Sequence, residues 1–396
     1  MQGGRFGWVA IPLGIYALAR AASAGIVLLV AHVAGGAISE GHREGGSASG
    51  YLGLMTQWDG QWYWTIARHG YPSELPADAD GEVQESPWNF YPLYPMLVRA
   101  LMALTHLGFP LVATTLSLLC GALAMVVLFG LLEPASRFNA IALVTLLSTR
   151  PASPVLQSAY TEGLGLLLIV LAVTLTMRRR YGWLALALVA LSLTRAVAAP
   201  LMVVLAVHVV LRWRRRRADP IERREILPGT LALAAALIGP FTWPLISAVA
   251  LGDPLAYLRA ASPWDALSAS QGPLPSWLGH AIAHPISRTS FFIVVATGLL
   301  TWGVVRAGRA LPLELRVWAV SYGVYVFGAT LLAVGFVRYS LLTILPWLPG
   351  PIHDDVRVSR WPRYAVLLFG VVTGLVLQAW WVSKVFLPLP GNLGSP

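Results

Sequence analysis

The sequence predicts an all-α polytopic membrane protein, and three observations lead to that prediction. Of 396 residues, 57% are hydrophobic and only 12% are charged, whereas soluble domains carry about 25% charged residues. Apolar runs of about 18 residues or more recur along the chain, and runs of that length predict membrane spans. The runs are continuously apolar and do not alternate, which argues against a transmembrane β-barrel and favours a helix bundle in lipid.

We expect about 9 to 12 spans of this length in one domain that covers residues 1–396. The clearest apolar runs are residues 8–34, 111–132, 231–251, 290–305, 317–337 and 364–386. Residues 181–211 number about 30, which at about 1.5 Å rise per residue is too short for two full crossings. We expect two short helices there and a similar break at residues 148–154, because broken helices are tolerated where they line a cavity.

The distribution of charge predicts the orientation of the spans. The net charge is +10, and Lys384 is the only lysine. Arginine-rich runs lie between the apolar runs at residues 178–180, 212–224, 306–316 and 357–363. This placement fits the cytoplasmic side under the positive-inside rule and argues against nucleic-acid binding. We expect an acidic first outer loop at residues 35–90 and a second outer loop at residues 252–284, in a multi-pass protein of the cell membrane.

The sequence offers little support for a metal or a disulfide. Cys120 is the only cysteine, so neither an intrachain disulfide nor a cysteine-based metal site is expected, and its apolar run predicts a buried residue. His280 and His284 have the i, i+4 spacing of metal ligands on a helix, but no third ligand is evident. We therefore expect no cofactor, and a divalent metal has no support in the sequence. The first apolar run is too long for a cleaved signal peptide, so we expect it to be a span.

The first outer loop contains a tryptophan-rich segment, QWDGQWYWTIARHGY, at residues 57–71. On a helix, Trp58, Trp62, Ile66 and His69 fall on one stripe with Asp59 beside it. This pattern is typical of a helix at the membrane surface with tryptophans at headgroup level. We expect partial desolvation to raise the pKa of Asp59 and make it a better proton acceptor near neutral pH. The alternative interpretation is that Asp59 only caps the helix and the tryptophans anchor it.

Several separated motifs, taken together, resemble one family of glycosyltransferases. They are WDG at 58–60 leading to IARHGY at 66–71, NFYPLYP at 89–95, PAS at 151–153 with SAYTE at 158–162, LTR at 193–195 and RYSLL at 338–342. Their order and spacing resemble the family of glycosylphosphatidylinositol mannosyltransferase II and its bacterial relatives. The chain departs from that family at Gly163 and Ala196, where the family usually has serine, and in the acidic segment 73–86.

The resemblance implies a membrane glycosyltransferase of the C-type fold. Members of that family take a sugar, usually mannose, from a polyprenyl or dolichyl phosphate and not from a nucleotide. The sequence agrees, since it has neither a soluble nucleotide-binding domain nor a GxGxxG motif. The expected partners are a polyprenyl-phosphate sugar donor, a glycolipid or lipoglycan acceptor and membrane lipid, with the active site on the outer, periplasmic side.

We expect an inverting transfer in one displacement, with Asp59 taking the proton of the acceptor hydroxyl. Arg338 is the expected ligand of the donor phosphate, because it ends a predicted span at the outer face and arginine suits phosphate geometry. Its alternative interpretation is a boundary arginine that snorkels to the interface. Further residues expected to bind substrate are Trp58, Arg68, His69, Tyr71, Tyr91, Glu162 and Arg195. For Tyr91, packing at a helix start is an alternative, and for Glu162 and Arg195 a structural ion pair is another.

A transporter or flippase of a polyprenyl-linked sugar is the competing function. Such a protein would share the broken helices and the buried charges. It would have no need for a carboxylate at position 59 beside a phosphate-binding arginine. A third possibility, a non-catalytic scaffold in the membrane, leaves the motifs unexplained.

Overall fold

The computed structural model describes residues 7–35, 50–269, 311–329, 335–344 and 360–388, and apart from one isolated bridge, from Ala77 to Val83, the regular elements there are helical. The helices are α1 (Gly7–Ala34), α2 (Gly50–Leu54), α3 (Asp59–His69), α4 (Leu93–Thr105), α5 (Phe109–Leu132), α6 (Arg137–Ser148), α7 (Glu162–Met177), α8 (Tyr181–Ser192), α9 (Ala198–Arg215), α10 (Arg223–Leu251), α11 (Ala256–Ala269), α12 (Leu313–Ala329), α13 (Gly335–Tyr339) and α14 (Arg360–Trp381). Short turns of 3₁₀ or π helix are Pro87–Asn89, Ser153–Gln157, Ser340–Thr343 and Val382–Phe386. The all-α prediction is confirmed for these segments.

Within the described segments, four helices are long and apolar enough to cross a membrane, judged by length and composition. They are Trp8–Ala34, Phe109–Leu132, Arg223–Leu251 and Trp361–Phe386, and they contain or closely match four of the predicted runs. Their outward faces carry large apolar side chains such as Leu18 and Val249, which are 75% and 84% exposed. Such faces suit lipid. The predicted run 290–305 and the histidines 280 and 284 lie outside the described residues, and the predicted total of spans stays a prediction.

Both predicted helix breaks are present. Helices α8 and α9 are separated by residues 193–197, and α6 and α7 by residues 149–161. A backbone freed at a break needs new partners in lipid, and neighbouring segments provide them. The N–H of Ala159 donates to the carbonyl of Met55 at 2.8 Å, for example. The breaks thus place non-helical backbone inside the bundle.

A buried arginine of α1 fixes the longer break. Arg20 is only 5% exposed, and it donates to the carbonyls of Ser148 and Ser153 and, at 2.9 Å, to the Ser153 hydroxyl. Gln378 of α14 donates to the same hydroxyl at 2.8 Å. Two membrane-length helices therefore hold this segment, which leads directly into Glu162.

Helix α7 begins so close to α5 that glycine is required at its second residue. A Cβ atom at Gly163 would lie 2.4 Å from the carbonyl oxygen of Ser117. The hydroxyl of Ser117 donates in turn to the carbonyl of Tyr160 at 2.8 Å, which ties the two segments together. The departure from the family's usual serine at position 163 therefore has a steric reason in this chain.

We expect Gly163→Ala to lower the free energy of unfolding by about 1–3 kcal/mol, because a backbone carbonyl cannot move aside as a flexible side chain can. Gly14→Ala in α1 is the matched control, since its added Cβ meets no atom within 4 Å. Alanine is also the better helix former there. Thermal unfolding in detergent measures both variants. Equal midpoints for the two would contradict this account of the α5–α7 contact.

Two of the predicted cytoplasmic arginine runs meet at one end of the bundle. Arg179, in the turn between α7 and α8, pairs with Asp219, and Arg212 of α9 lies 2.5 Å from the same carboxylate. Hydrogen bonds from Arg179 and Arg212 lower the pKa of Asp219 to about 2. The two runs therefore share one side, as the positive-inside prediction requires. Which side of the membrane this is stays a prediction.

Candidate active site

The tryptophan-rich segment forms helix α3, and the face that this helix buries in the protein differs from the stripe predicted to face the membrane surface. The residues buried on this helix are Gly60, Tyr63, Ile66 and Ala67. Of the predicted stripe, only Ile66 is buried, whereas His69 is exposed and the two tryptophans are half-buried. The reason is that α3 packs on protein: the ring of Tyr63 makes edge contacts with Phe90 and Tyr94, at centroid distances of 5.4 and 5.2 Å. The predicted contact of the tryptophan stripe with the membrane surface stays a prediction.

Asp59 is the first residue of α3, and the preceding residue, Trp58, is hydrogen-bonded to Phe386. Trp58 has a φ of 57° and a ψ of −120°, a sparsely populated positive-φ conformation that costs a non-glycine residue about 1–3 kcal/mol. Its indole Nε1 donates to the carbonyl of Phe386 at 2.7 Å. The carboxylate of Asp59 does not form a cap to the backbone N–H groups of its own helix. Among the described residues, its hydrogen-bond partner is Arg338.

Four charged side chains from four separate segments meet at this point. We name Asp59, Glu162, Arg195 and Arg338 the charged cluster. Arg338 Nη1 donates to Asp59 Oδ2 at 2.7 Å, and Arg338 Nε lies 3.2 Å from Glu162 Oε1. Arg195 Nη1 lies 2.9 Å from the same Glu162 oxygen. One carboxylate thus bridges two guanidinium groups, and the second carboxylate is attached at one end.

The cluster is largely shielded from solvent. The side chains of Glu162 and Arg338 are 1% and 5% exposed, while those of Arg195 and Asp59 retain 11% and 18%. Two acids and two bases balance one another formally, which is the usual condition for charges inside a membrane protein. The accessible edge of the cluster is therefore formed by Asp59 and Arg195.

Three neighbours that the sequence prediction did not include complete the cluster. The hydroxyl of Thr161 accepts from Arg195 Nη1 at 2.6 Å. The rings of Tyr160 and Tyr339 flank the guanidinium of Arg338 at 5.2 and 4.9 Å, and the Tyr339 hydroxyl accepts from its Nη2 at 3.1 Å. The signal for all three is closeness in the sequence, since Thr161 and Tyr339 adjoin a predicted charged residue and Tyr160 lies two positions before Glu162.

The environment of Asp59 raises its pKa, as predicted. Desolvation by burial is the main cause, and the positive charge of Arg338 opposes it. Glu162 adds to the rise, and Arg195 counteracts it. Oδ1 of Asp59 has no hydrogen bond to any residue that the structure describes. The carboxylate therefore has one anchored oxygen and one oxygen able to accept a proton.

In the described part of the chain, Arg68, His69, Tyr71 and Tyr91 make no hydrogen bond or ion pair with this cluster. Arg68 and His69 are exposed at the far end of α3, about 14 Å from Asp59 along the helix axis. Tyr71 donates to the carbonyl of Phe90 at 2.8 Å. Tyr71 and Tyr91 belong to an aromatic cluster with Trp88 and Trp243. The ring of Tyr91 is 8% exposed and packs near Trp243, and its role in substrate binding stays a prediction.

In the described ranges, no group of three or more His, Cys, Asp or Glu is arranged to hold a metal ion. The two acids of the charged cluster both contact arginine. Cys120 is buried, as its apolar run predicted.

Comparisons with known proteins add a distant structural likeness. No family model and no curated protein sequence matches the chain. Among solved structures, the chain is similar to the oligosaccharyltransferase of Archaeoglobus fulgidus tethered through a disulfide bond to an acceptor peptide with the NVT sequon. The two are 12% identical with a TM-score of 0.46, over 98% of this chain and 56% of that one. The chain thus spans just over half the length of that structure, and a likeness this distant assigns neither activity nor substrate.

Proposed function

We propose that this protein is a membrane glycosyltransferase of the C-type fold. It transfers a sugar, mannose by its sequence resemblance, from a polyprenyl phosphate to a glycolipid or lipoglycan acceptor at the outer face of the membrane. The observation that carries the proposal is the charged cluster: a partly accessible carboxylate, Asp59, held by the buried guanidinium of Arg338, with the partly accessible guanidinium of Arg195 in the same cluster. This combination offers a proton acceptor and a phosphate ligand within one site.

The proposed reaction is a single displacement. The acceptor hydroxyl oxygen attacks the anomeric carbon on the face opposite the phosphate, which inverts the configuration. The bond from that carbon to the phosphate oxygen breaks, and its electron pair leaves with the polyprenyl phosphate. The hydroxyl proton passes to the free Oδ1 of Asp59. Because a phosphodiester becomes a monoester, negative charge develops on the leaving phosphate, and a neighbouring guanidinium stabilises it.

A lipid-borne donor fits the place where the cluster lies. Asp59 begins a helix of the predicted outer loop, while Glu162 and Arg195 lie at the two helix breaks inside the bundle. A polyprenyl chain remains in lipid, so only its phosphate and sugar need to enter the protein. Low local dielectric strengthens the attraction between phosphate and arginine.

Reconstitution of the purified protein tests the proposal against the flippase alternative. Proteoliposomes receive a synthetic polyprenyl-phosphate mannose with a labelled sugar, together with a panel of glycolipid and lipoglycan acceptors. We expect label in an acceptor with inverted anomeric configuration, as read by mass spectrometry and NMR. Movement of the donor between leaflets without any transfer would instead establish a flippase.

The raised pKa of Asp59 predicts a pH dependence. A general base acts only when deprotonated, so kcat/KM should fall as the pH drops through the pKa of Asp59. Because burial raises that pKa, the fall should occur at a higher pH than for an ordinary aspartate, near 3.9. A pH–rate profile from pH 4 to 9 measures it. A profile that stays flat down to the ordinary value would contradict the role of Asp59 as a desolvated base.

A further inference from the structure

The two arginines of the charged cluster differ in the hydrogen bonds of their guanidinium nitrogens and in the exposed fraction of their side chains. Arg338 has both terminal nitrogens hydrogen-bonded, Nη1 to Asp59 at 2.7 Å and Nη2 to the Tyr339 hydroxyl at 3.1 Å, whereas its buried Nε lies 3.2 Å from Glu162 Oε1 without a hydrogen bond to any described residue. The rings of Tyr160 and Tyr339 lie near the guanidinium at 5.2 and 4.9 Å. A phosphate could reach Arg338 only by displacing one of these partners.

Arg195 is hydrogen-bonded through one nitrogen, and the centroid of the Tyr339 ring lies 5.6 Å from its guanidinium carbon. Its Nη1 contacts both Glu162, at 2.9 Å, and the Thr161 hydroxyl, at 2.6 Å. Its Nη2 and Nε have no hydrogen bond to a residue within the described segments. Because the guanidinium is planar, these two nitrogens form the edge on the other side from Nη1. The side chain is 11% exposed, against 5% for Arg338.

We infer that Arg195, and not Arg338, binds the donor phosphate, and that Arg338 is a positioning residue that orients Asp59. The inference rests on the proposed function and names the ligand within that site. A free Nη2–Nε edge suits two oxygens of one phosphate in bidentate contact. The bond from Arg338 to Oδ2 leaves Oδ1 as the oxygen that meets the acceptor. Glu162 couples the two arginines and fixes the separation between phosphate and base.

Matched lysine substitutions distinguish these roles. Arg195→Lys keeps the charge beside Glu162 but loses the planar edge, so we expect the KM for the donor to rise about 10-fold or more. Its kcat should fall as well, because the same guanidinium stabilises the charge that develops on the leaving phosphate, so the donor KM is the readout that distinguishes the two arginines. Arg338→Lys should leave the donor KM unchanged and lower kcat, because lysine cannot hold Asp59 and Glu162 as the planar fork does.

The pH profile separates positioning from a merely structural effect. The groups that act on Asp59 are Arg338 and Arg195, which lower its pKa, and Glu162, which raises it. Weakening the contact with Arg338 should therefore move the acid limb of kcat/KM to higher pH. Arg195→Lys preserves a positive charge and should leave that limb in place.

A third variant tests the role of Arg195 in phosphate binding without replacing the arginine itself. A Cβ at Gly165 would lie 3.1 Å from Cδ of Arg195, so Gly165→Ala should shift that side chain and raise the donor KM. Because the contacted atom belongs to a flexible side chain, folding should be retained.

Binding of polyprenyl phosphate without sugar, measured by microscale thermophoresis in detergent, provides the direct comparison. Loss of affinity in Arg195→Lys and retention in Arg338→Lys supports the inference. The opposite pattern, with transfer by the wild type intact, would overturn it and leave the proposed function standing. A wild type that neither binds polyprenyl phosphate nor transfers sugar would refute the proposed function itself.

Discussion

Asp59→Asn is expected to lower sugar transfer by about 100-fold to 10,000-fold, the range that a positioned general base contributes. Asparagine has nearly the same shape, and its carbonyl oxygen can still accept from Arg338 in place of Oδ2. It cannot take a proton from the acceptor hydroxyl. Initial rates in proteoliposomes at saturating donor measure the effect, and the acid limb of the pH profile should disappear with the activity.

Two controls make the result specific. Asp80→Asn removes an exposed carboxylate of the same loop and should transfer sugar at the wild-type rate. The affinity of Asp59→Asn for polyprenyl phosphate should stay close to that of the wild type, since the inferred phosphate ligand is retained. If Asp59→Asn is folded and turns over as fast as the wild type, Asp59 is not the base.

Glu162→Gln is expected to have the largest effect on stability among single changes in the charged cluster. The side chain is 1% exposed and lies between Arg195 and Arg338 at 2.9 and 3.2 Å. Its loss leaves two buried cations with only Asp59 to balance them. Removing one member of a buried ionic network typically destabilises a protein by about 3–5 kcal/mol. Thermal unfolding in detergent should show a clear fall in the midpoint.

A charge-balanced variant tests the cause. Combining Glu162→Gln with Arg195→Gln restores an equal number of acids and bases and should recover much of the midpoint, although not the activity. The double-mutant cycle gives the interaction energy between Glu162 and Arg195. Glu222→Gln, which removes an exposed ion pair with Arg224, is the matched control and should change stability by less than about 1 kcal/mol. A normal midpoint for Glu162→Gln would mean that the cluster is not a stabilising network.

Much of the fold could be predicted from sequence because lipid requires long apolar segments whose backbone hydrogen bonds are satisfied within the protein. Continuous apolar runs predicted α1, α5, α10 and α14, and the interruption around Thr194 to Pro200 predicted the break after α8. The charged residues at 162 and 195 were candidates for pairing because isolated charges are costly in apolar runs. The same rule applied to Arg20, in the middle of the first run, would have indicated its buried contacts with the longer break.

The contacts between distant segments could not be predicted in this way. Asp59 and Arg338 are 279 positions apart, and nothing in one sequence specifies that they touch. The face of α3 that packs on protein was not predictable either, because hydrophobic periodicity does not tell whether lipid or Tyr94 covers a helix face. The two hydrogen bonds of Arg338 depend on Asp59 and Tyr339 together. Only the assembled geometry shows which arginine remains free.

The bridging position of Glu162 also has a meaning for biogenesis. Glu162 and Arg195 are 33 residues apart and form an ion pair. The chain enters the bilayer from its N-terminus, so these two residues can pair early. Their pairing leaves only two of the four charges of the cluster unpaired in lipid. Asp59 lies 279 positions before Arg338, so it can form its ion pair only after the later segment has been synthesised and inserted. The segment that carries Arg338 thus completes the charged cluster late in synthesis. We expect a chain truncated before Arg338 to carry Asp59 without this partner and to be inactive in sugar transfer.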